Sequence, residues 1–254
     1  MDFLDKLNPQ QKRAVTAGNG PVLVVAGPGS GKTRVLTQRI AYLIANEGVR
    51  PWQILAVTFT NKAAKEMGER VKRLLPDQAI EGIMLGTFHS ICARMLRREA
   101  EYLPIQSNFV IFDTDDQERV VKSAIREMNI NEKLYRPASV LAAISRAKNE
   151  LIQADEYPTQ TYRDEIVKRV YAEYQKRLIA SNAVDFDDIL LYTARLLEDN
   201  PSVRDKYAQR FRHVLVDEFQ DTNLAQYALV KHLASFHRNI FCVGDPDQCL
   251  PAGT

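Results

Sequence analysis

The chain has 254 residues, 34 basic and 32 acidic side chains, a formal net charge of +2, and 45% hydrophobic residues. That length covers one large domain or two modest ones, with enough apolar residues to bury a core. So small a net charge excludes a basic surface spread over the whole molecule, and any polyanion binding must rest on local placement of charge. The three cysteines Cys92, Cys242 and Cys249 are too few and too scattered for a zinc site or a disulfide framework. Cys92 and Cys242 read as reduced thiols on core elements, and a cytoplasmic location is expected. The N-terminal Met1-Asp2-Phe3-Leu4-Asp5 is acidic and is followed by no long apolar run, which argues against a signal peptide. No stretch approaches the roughly 20 apolar residues of a membrane-spanning helix, so no membrane partner is expected.

In chain order, Val22–Ala26 reads as a buried strand. Leu36, Ile40, Leu43 and Ile44 then recur at helical spacing, with Gly48 as a stop. Ile54–Phe59 is a second strand, and Ala63, Ala64, Met67, Val71 and Leu74 form the next helical stripe. Ile83–Leu85 and Phe109–Phe112 are further strand candidates. Such alternation predicts a parallel sheet with helices on its faces. After Asp113 the pattern changes. Thr114-Asp115-Asp116-Gln117 reads as a capping box opening a helix with Val120, Val121, Ala124 and Ile125 on one face. Helices and turns alone are predicted from there to about Ala208, punctuated by Pro137, Pro158 and Pro201. Strand character returns at Val214–Val216 and Ile240–Val243. The predicted fold class is α/β: a P-loop parallel sheet with an inserted all-helical subdomain. Its boundaries fall at 1–112 for the first part of the sheet domain, 113–208 for the insert and 209–248 for the completion of the sheet. No internal repeat or low-complexity tract is present.

The strongest local signal is Ala26-Gly27-Pro28-Gly29-Ser30-Gly31-Lys32-Thr33. It follows a strand and opens a helix, the context that a P-loop requires. Glycines let backbone N–H groups turn inward around phosphate oxygens, and the helix N-terminus adds its positive end. Lys32 is placed to reach the β- and γ-phosphates of ATP, and the Thr33 hydroxyl to bind Mg2+. The common pattern begins with Gly where this chain has Ala26, the least demanding position of the loop.

Val214-Leu215-Val216-Asp217-Glu218 is an apolar strand ending in two carboxylates. On its own this pair reads as a solvated strand end. Beside a P-loop, Asp217 is expected to hold Mg2+ and Glu218 to accept a proton from the attacking water.

Glu218 is followed by Phe219-Gln220-Asp221-Thr222, and Asp-Glu-x-Gln-Asp-Thr resembles motif II of superfamily 1 helicases of the UvrD/PcrA/Rep group. Five other segments share the likeness, in the family's order. Leu7-Asn8-Pro9-Gln10-Gln11 resembles its adenine-reading Q motif, with Gln11 as the recognition residue. Thr58-Phe59-Thr60-Asn61-Lys62-Ala63-Ala64 resembles motif Ia, and Gly86-Thr87-Phe88-His89-Ser90 motif Ib. Asp185-Phe186-Asp187-Asp188 resembles a segment of the family's inserted helical domain. Val243-Gly244-Asp245-Pro246-Asp247-Gln248 resembles the start of motif III. The resemblance covers nearly the whole chain. It implies a RecA-like first motor domain, 1A, carrying a helical insert, 1B. It also implies an ATP- and Mg2+-dependent DNA helicase with single-stranded DNA and duplex junctions as partners and movement from 3′ toward 5′. Phe59 is then a base-stacking residue, as sequence-tolerant binding favours, and Thr60, Asn61, Thr87 and His89 contact the DNA backbone. Without the resemblance, Phe59 reads as core packing and His89 as a structural histidine. Gln248 matches the family's γ-phosphate sensor, and Arg34 is a candidate contact to the nucleotide base. Arg94–Arg98 reads equally as a phosphate-touching stretch or a solvated helix face.

The likeness ends after Gln248. The family continues with Ser-Ile-Tyr, whereas this chain reads Cys249-Leu250-Pro251-Ala252-Gly253-Thr254. Cys-Leu-x-x-Gly-Thr resembles the opening of an intein. In that reading the Cys249 thiol attacks the Gln248 carbonyl as a splicing nucleophile. A truncated gene, a frameshift or an artificially shortened chain are the alternatives. Without a second motor domain and its arginines, weak nucleotide binding and slow hydrolysis are expected, since loss of an arginine finger costs roughly 10³–10⁵ in rate in other P-loop enzymes. Two other functions remain open: a non-catalytic ATP- and DNA-binding module, and the motor of a helicase–nuclease complex.

Overall fold

The computed structural model describes residues 4–27, 29–76 and 80–245. The chain splits into two compact units, one comprising residues 1–91, 201–222 and 230–254, the other residues 92–200 and 223–229. Among the described residues no helix is long and apolar enough to cross a membrane.

The first unit is built on a five-stranded, wholly parallel sheet. Its strands are β1 (Val22–Val25), β2 (Ile54–Thr58), β3 (Met84–Thr87), β6 (His213–Val216) and β7 (Ile240–Gly244), in the order β1-β7-β6-β2-β3. The three central strands β7, β6 and β2 are almost wholly buried, as a sheet covered on both faces must be. Edge strand β1 instead alternates, leaving Leu23 and Val25 exposed. Helices α1 (Pro9–Val15), α2 (Lys32–Ala45) and α3 (Asn61–Leu74) supply Val15, Leu36, Ile40, Met67 and Val71 to the core over Ile54, Ala56, Leu215 and Val243. α2 follows β1 and α3 follows β2, so both helices start at the C-terminal edge of the sheet. In open α/β sheets ligands bind at that edge.

The second unit is mainly helical: α5 (Thr114–Glu127), α6 (Pro137–Asn149), α7 (Tyr162–Ala180) and α8 (Phe186–Asp199) surround a core of Val121, Ile125, Ile144, Val170, Tyr174 and Leu178. Its organising feature is ionic. Lys148 of α6 is 0% exposed, and its Nζ lies 2.7 Å from both Asp185 Oδ2 and Asp188 Oδ1. Asp185 is the N-cap of α8 and forms a reciprocal capping box with Asp188. Tyr174 donates to Asp185 at 2.8 Å and Gln175 to Asp188 at 3.1 Å, so the buried charges are paired and their remaining lone pairs used.

Three details differ from the sequence pattern. The helical region also contains a two-residue strand, β5 (Ala183–Val184), parallel to β4 (Val110–Ile111). α5 is capped by Asp113, whose side chain accepts from Asp116 N; the capping box expected at Thr114 is displaced because Thr114 is already the first helical residue. The units also divide after Ile91 and after Asn200, with residues 223–229 grouped with the helices, where the pattern sets edges at 112 and 208. The β4–β5 pairing and the stacking of Arg97 on Phe109, 4.2 Å from its ring centre, tie residues 92–112 to the helices. Helix α9 (Pro201–Arg210) belongs with the sheet, where Arg210 Nε reaches Trp52 O at 3.5 Å.

Candidate nucleotide and nucleic-acid site

Between β1 and α2 the chain must reverse tightly at the C-terminal edge of the sheet. Gly29 and Gly31 have φ of +74° and +85°, conformations that an L side chain would strain to adopt. A Cβ on Gly31 would also come within 3.1 Å of Gln11 Nε2. The loop therefore places Lys32 and Thr33 in the first turn of α2. Lys32 Nζ donates to Ala26 O at 3.0 Å and pairs with Asp245 Oδ2 at 3.3 Å. Its side chain is 9% exposed and that of Asp245 1%, so this ion pair closes the loop onto the end of β7.

The apolar strand β6 delivers Asp217 and Glu218 to the same edge. Asp217 is buried and accepts from the Thr33 hydroxyl and from Glu218 N, the latter at 3.1 Å. Burial, and next the like charge of Glu218, push its carboxyl up to about 6, against the opposing pull of Lys32 and these hydrogen bonds. Glu218 sits in the left-handed region at φ 46°, ψ 47°. For a non-glycine residue that costs on the order of 1–3 kcal/mol, and such strain gathers at functional sites.

Gln220 ties the acidic segment to β7. Its Nε2 donates to Glu218 Oε2 at 2.8 Å and to Asp221 Oδ2 at 3.2 Å, while its Oε1 accepts from Asp245 N at 2.9 Å. Gly244 makes room for this arrangement, because a Cβ there would lie 2.9 Å from Gln220 Oε1. The route Lys32–Asp245–Gln220–Glu218 joins three distant segments. Gln220 and Asp245 were absent from the sequence-based site, since nothing local marks them as more than members of resembling motifs.

A cavity of about 640 Å³ opens here, lined by Gly29–Arg34, Phe59, Thr60, Arg70, Glu218, Asp221 and Asp245. A second, of about 360 Å³, lies between the same loop and α1 and is lined by Asn8, Gln10, Gln11, Ala26, Ser30 and Lys32, among others. Gln11 completes the capping box of α1 with Asn8, and its Nε2 donates to Ser30 O at 2.9 Å. The expected base-reading residue is thus joined directly to the phosphate loop. Arg34 is held by Lys6 O at 2.6 Å. A further cavity, of about 790 Å³, is lined by residues of the helical unit.

The residues expected to meet DNA lie at the same sheet edge. Phe59 follows β2, is half-buried, and packs edge-on to Phe88 with ring centres 5.6 Å apart. Thr60 is exposed and caps α3 by accepting from Ala63 N at 3.1 Å; Asn61 is exposed beside it. Thr87 ends β3, is buried, and accepts from Ser90 N at 3.2 Å, which fixes the start of α4 (Phe88–Arg98). His89 is half-buried in the first turn of that helix. Pro28, Gln248 and Cys249 lie outside the described residues.

For a divalent cation the available donors are the Thr33 hydroxyl and the Asp217 carboxylate, already within hydrogen-bonding reach of each other. Both are hard oxygen ligands of the kind Mg2+ takes alongside water and phosphate.

Comparison with known proteins bears on this arrangement. A sequence profile described as UvrD/REP helicase N-terminal domain matches residues 7–250. The chain is 49% identical over 250 residues to the ATP-dependent DNA helicase PcrA of Bacillus subtilis (strain 168), covering 98% of this chain and 34% of that protein. It is 48% identical to PcrA of Staphylococcus aureus (strain Mu50) and 45% identical to PcrA of Staphylococcus epidermidis, again over 98% of this chain and 34% of each relative. It therefore spans about a third of the length of these curated relatives. With a parallel P-loop sheet, the paired carboxylates of β6 and a matching profile over nearly its full length, this chain belongs to the UvrD/REP helicase N-terminal domain family.

Proposed function

We propose that this chain is the N-terminal motor portion, domains 1A and 1B, of an ATP-dependent DNA helicase that acts in the cytoplasm in DNA unwinding and repair. The observation that carries the reading is that Lys32, Thr33 and Glu218, drawn from distant parts of the chain, line one cavity at the sheet's C-terminal edge, with buried Asp217 hydrogen-bonded to Thr33.

In this reading the loop Ala26–Thr33 cradles the phosphates of ATP, and Lys32 exchanges Asp245 for the β- and γ-phosphate oxygens. Gln11 and Arg34 face the base. Thr33 and Asp217 hold Mg2+, which when bound offsets the negative charge of the phosphates. Glu218 orients the attacking water and accepts its proton, and Gln220 holds the Glu218 carboxylate in place. Gln248 completes the γ-phosphate contacts. Single-stranded DNA lies along the ends of β2 and β3, stacking on Phe59 and touching Thr60, Asn61, Thr87 and His89. A second motor domain contributes the remaining contacts, and movement runs from 3′ toward 5′, as the family resemblance implies.

ATP hydrolysis by the chain joined to the remaining portion of a PcrA relative, measured with and without single-stranded DNA, tests this reading. Stimulation by DNA that is lost in Glu218→Gln supports it. Binding of both ligands with no hydrolysis would favour the non-catalytic module instead.

A further inference from the structure

The N-terminal edge of the sheet, opposite the phosphate loop, carries a second cluster of cations. A cavity of about 140 Å³ is lined there by Asn19, Arg39, Glu47, Arg212 and His213, among others. Arg39, in the middle of α2, is 4% exposed. Its Nη1 donates to Val15 O at 2.7 Å and its Nη2 to Gly18 O at 3.4 Å, while its Nε is buried with no hydrogen-bond partner. Tyr42 and Phe241 flank the guanidinium at 5.9 and 5.7 Å from their ring centres. Among the described residues neither Arg39 nor Arg212 forms an ion pair within 4.0 Å. The nearby carboxylate, Glu47, is engaged by the Tyr42 hydroxyl.

A buried guanidinium with an unused donor and no close counter-ion is costly. Its neighbours add to that cost. His213, the first residue of β6, is 5% exposed. Desolvation, then the charges of Arg39, Arg212 and His237, push its imidazole down to about 4. At neutral pH the cluster thus holds two permanent cations, one carboxylate and a neutral imidazole, a net positive charge in a polar cavity. The space equals that of roughly four to five liquid waters, enough for one tetrahedral oxyanion and too little for a nucleotide. A phosphate or phosphodiester carries at least one full negative charge where His213 titrates, and an opposite charge close to the ring favours its protonated form. Its tetrahedral oxygens can also accept from Arg39, Arg212 and His213 together.

We propose that this cavity is a binding site for a phosphate group, free or esterified, held by Arg39 and Arg212 with His213 as the third donor. The site is independent of the nucleotide site and of its proposed chemistry. Its signature is linkage: phosphate binding and protonation of His213 each favour the other.

The test is a pH titration of the histidine ring resonances by NMR on the whole chain carrying Lys32→Ala, chosen to weaken phosphate binding at the proposed nucleotide site. The probes are inorganic phosphate and a short oligothymidylate, each against chloride at matched ionic strength. The expected result is a rise of about one pH unit or more in the His213 midpoint, with about a tenfold weaker apparent affinity in Arg212→Gln. Arg212 is exposed, so this variant spares the core. A rise with phosphate alone identifies a free-anion site, and a rise with the oligonucleotide a site for a backbone phosphate. The proposal is overturned if neither probe moves His213 at concentrations well above millimolar, or if Arg212→Gln binds as tightly as the parent.

Discussion

Replacing Lys148 with Met removes the cation that pairs with two buried carboxylates. Asp185 and Asp188 are 1% and 0% exposed, and each loses a 2.7 Å contact. Burial alone would raise the Asp185 carboxyl, but Lys148's charge and hydrogen bond outweigh it and hold the group below the usual range. Asp188 is already pushed up to about 6, by burial first and the Asp185 charge second, with Lys148 opposing both. Breaking such a buried pair costs about 3–5 kcal/mol. In Lys148→Met the folded pair holds a proton more tightly than the unfolded carboxyls, which titrate near about 3.9. The folded state then binds more protons, so stability falls as pH rises, and the loss is greater at about pH 8 than at about pH 5. Hydrogen exchange of the α7 and α8 amides reads this directly in the helical unit. Protection should drop by roughly two to three and a half orders of magnitude, and adding Asp188→Asn should restore part of it. A loss under about 1 kcal/mol, or one that does not grow with pH, would refute the reasoning.

Three further outcomes are expected at the sheet edge. Gln220→Leu deprives Glu218 and Asp245 N of their shared amide; steady-state kinetics should show the DNA-stimulated hydrolysis rate falling about 10- to 100-fold with little change in KM for ATP. Phe59→Ala should weaken single-stranded DNA binding by about 1–3 kcal/mol in a fluorescence anisotropy titration. The Asp217 carboxyl should titrate near about 6 by carbon NMR in the nucleotide-free chain. Its raised value means that ionising it opposes folding: that loss sets in above the unfolded value and is complete above about 6. Glu218→Gln removes a like charge and should move the midpoint down.

The geometry of the loop between β1 and α2 is legible in the sequence because its determinants are contiguous: a strand, glycines at the two positive-φ positions and Lys-Thr opening a helix. Asp217 and Glu218 point to a site only in the company of that loop, since a strand-end carboxylate pair is ordinary by itself. The Asp185–Asp188 segment was recognised by resemblance but given no role; its role as a buried cage for Lys148, 37 residues upstream of Asp185, depends on a pairing that no local pattern encodes. The same holds for Gln220 and Asp245, whose hydrogen bond spans 25 residues. Short strand β5 escaped because two residues carry no periodicity. The unit boundaries moved because the β4–β5 pair, not the onset of α5, decides which core residues 92–112 join.

The most direct test of the central claim is equilibrium binding of a fluorescent ATP analogue, in Mg2+, to the chain and to Lys32→Ala, with circular dichroism confirming that both are folded. Loss of the ammonium's contacts to phosphate predicts affinity weaker by about 10- to 150-fold. Equal affinity in the folded variant would contradict the assignment of this loop as the nucleotide site.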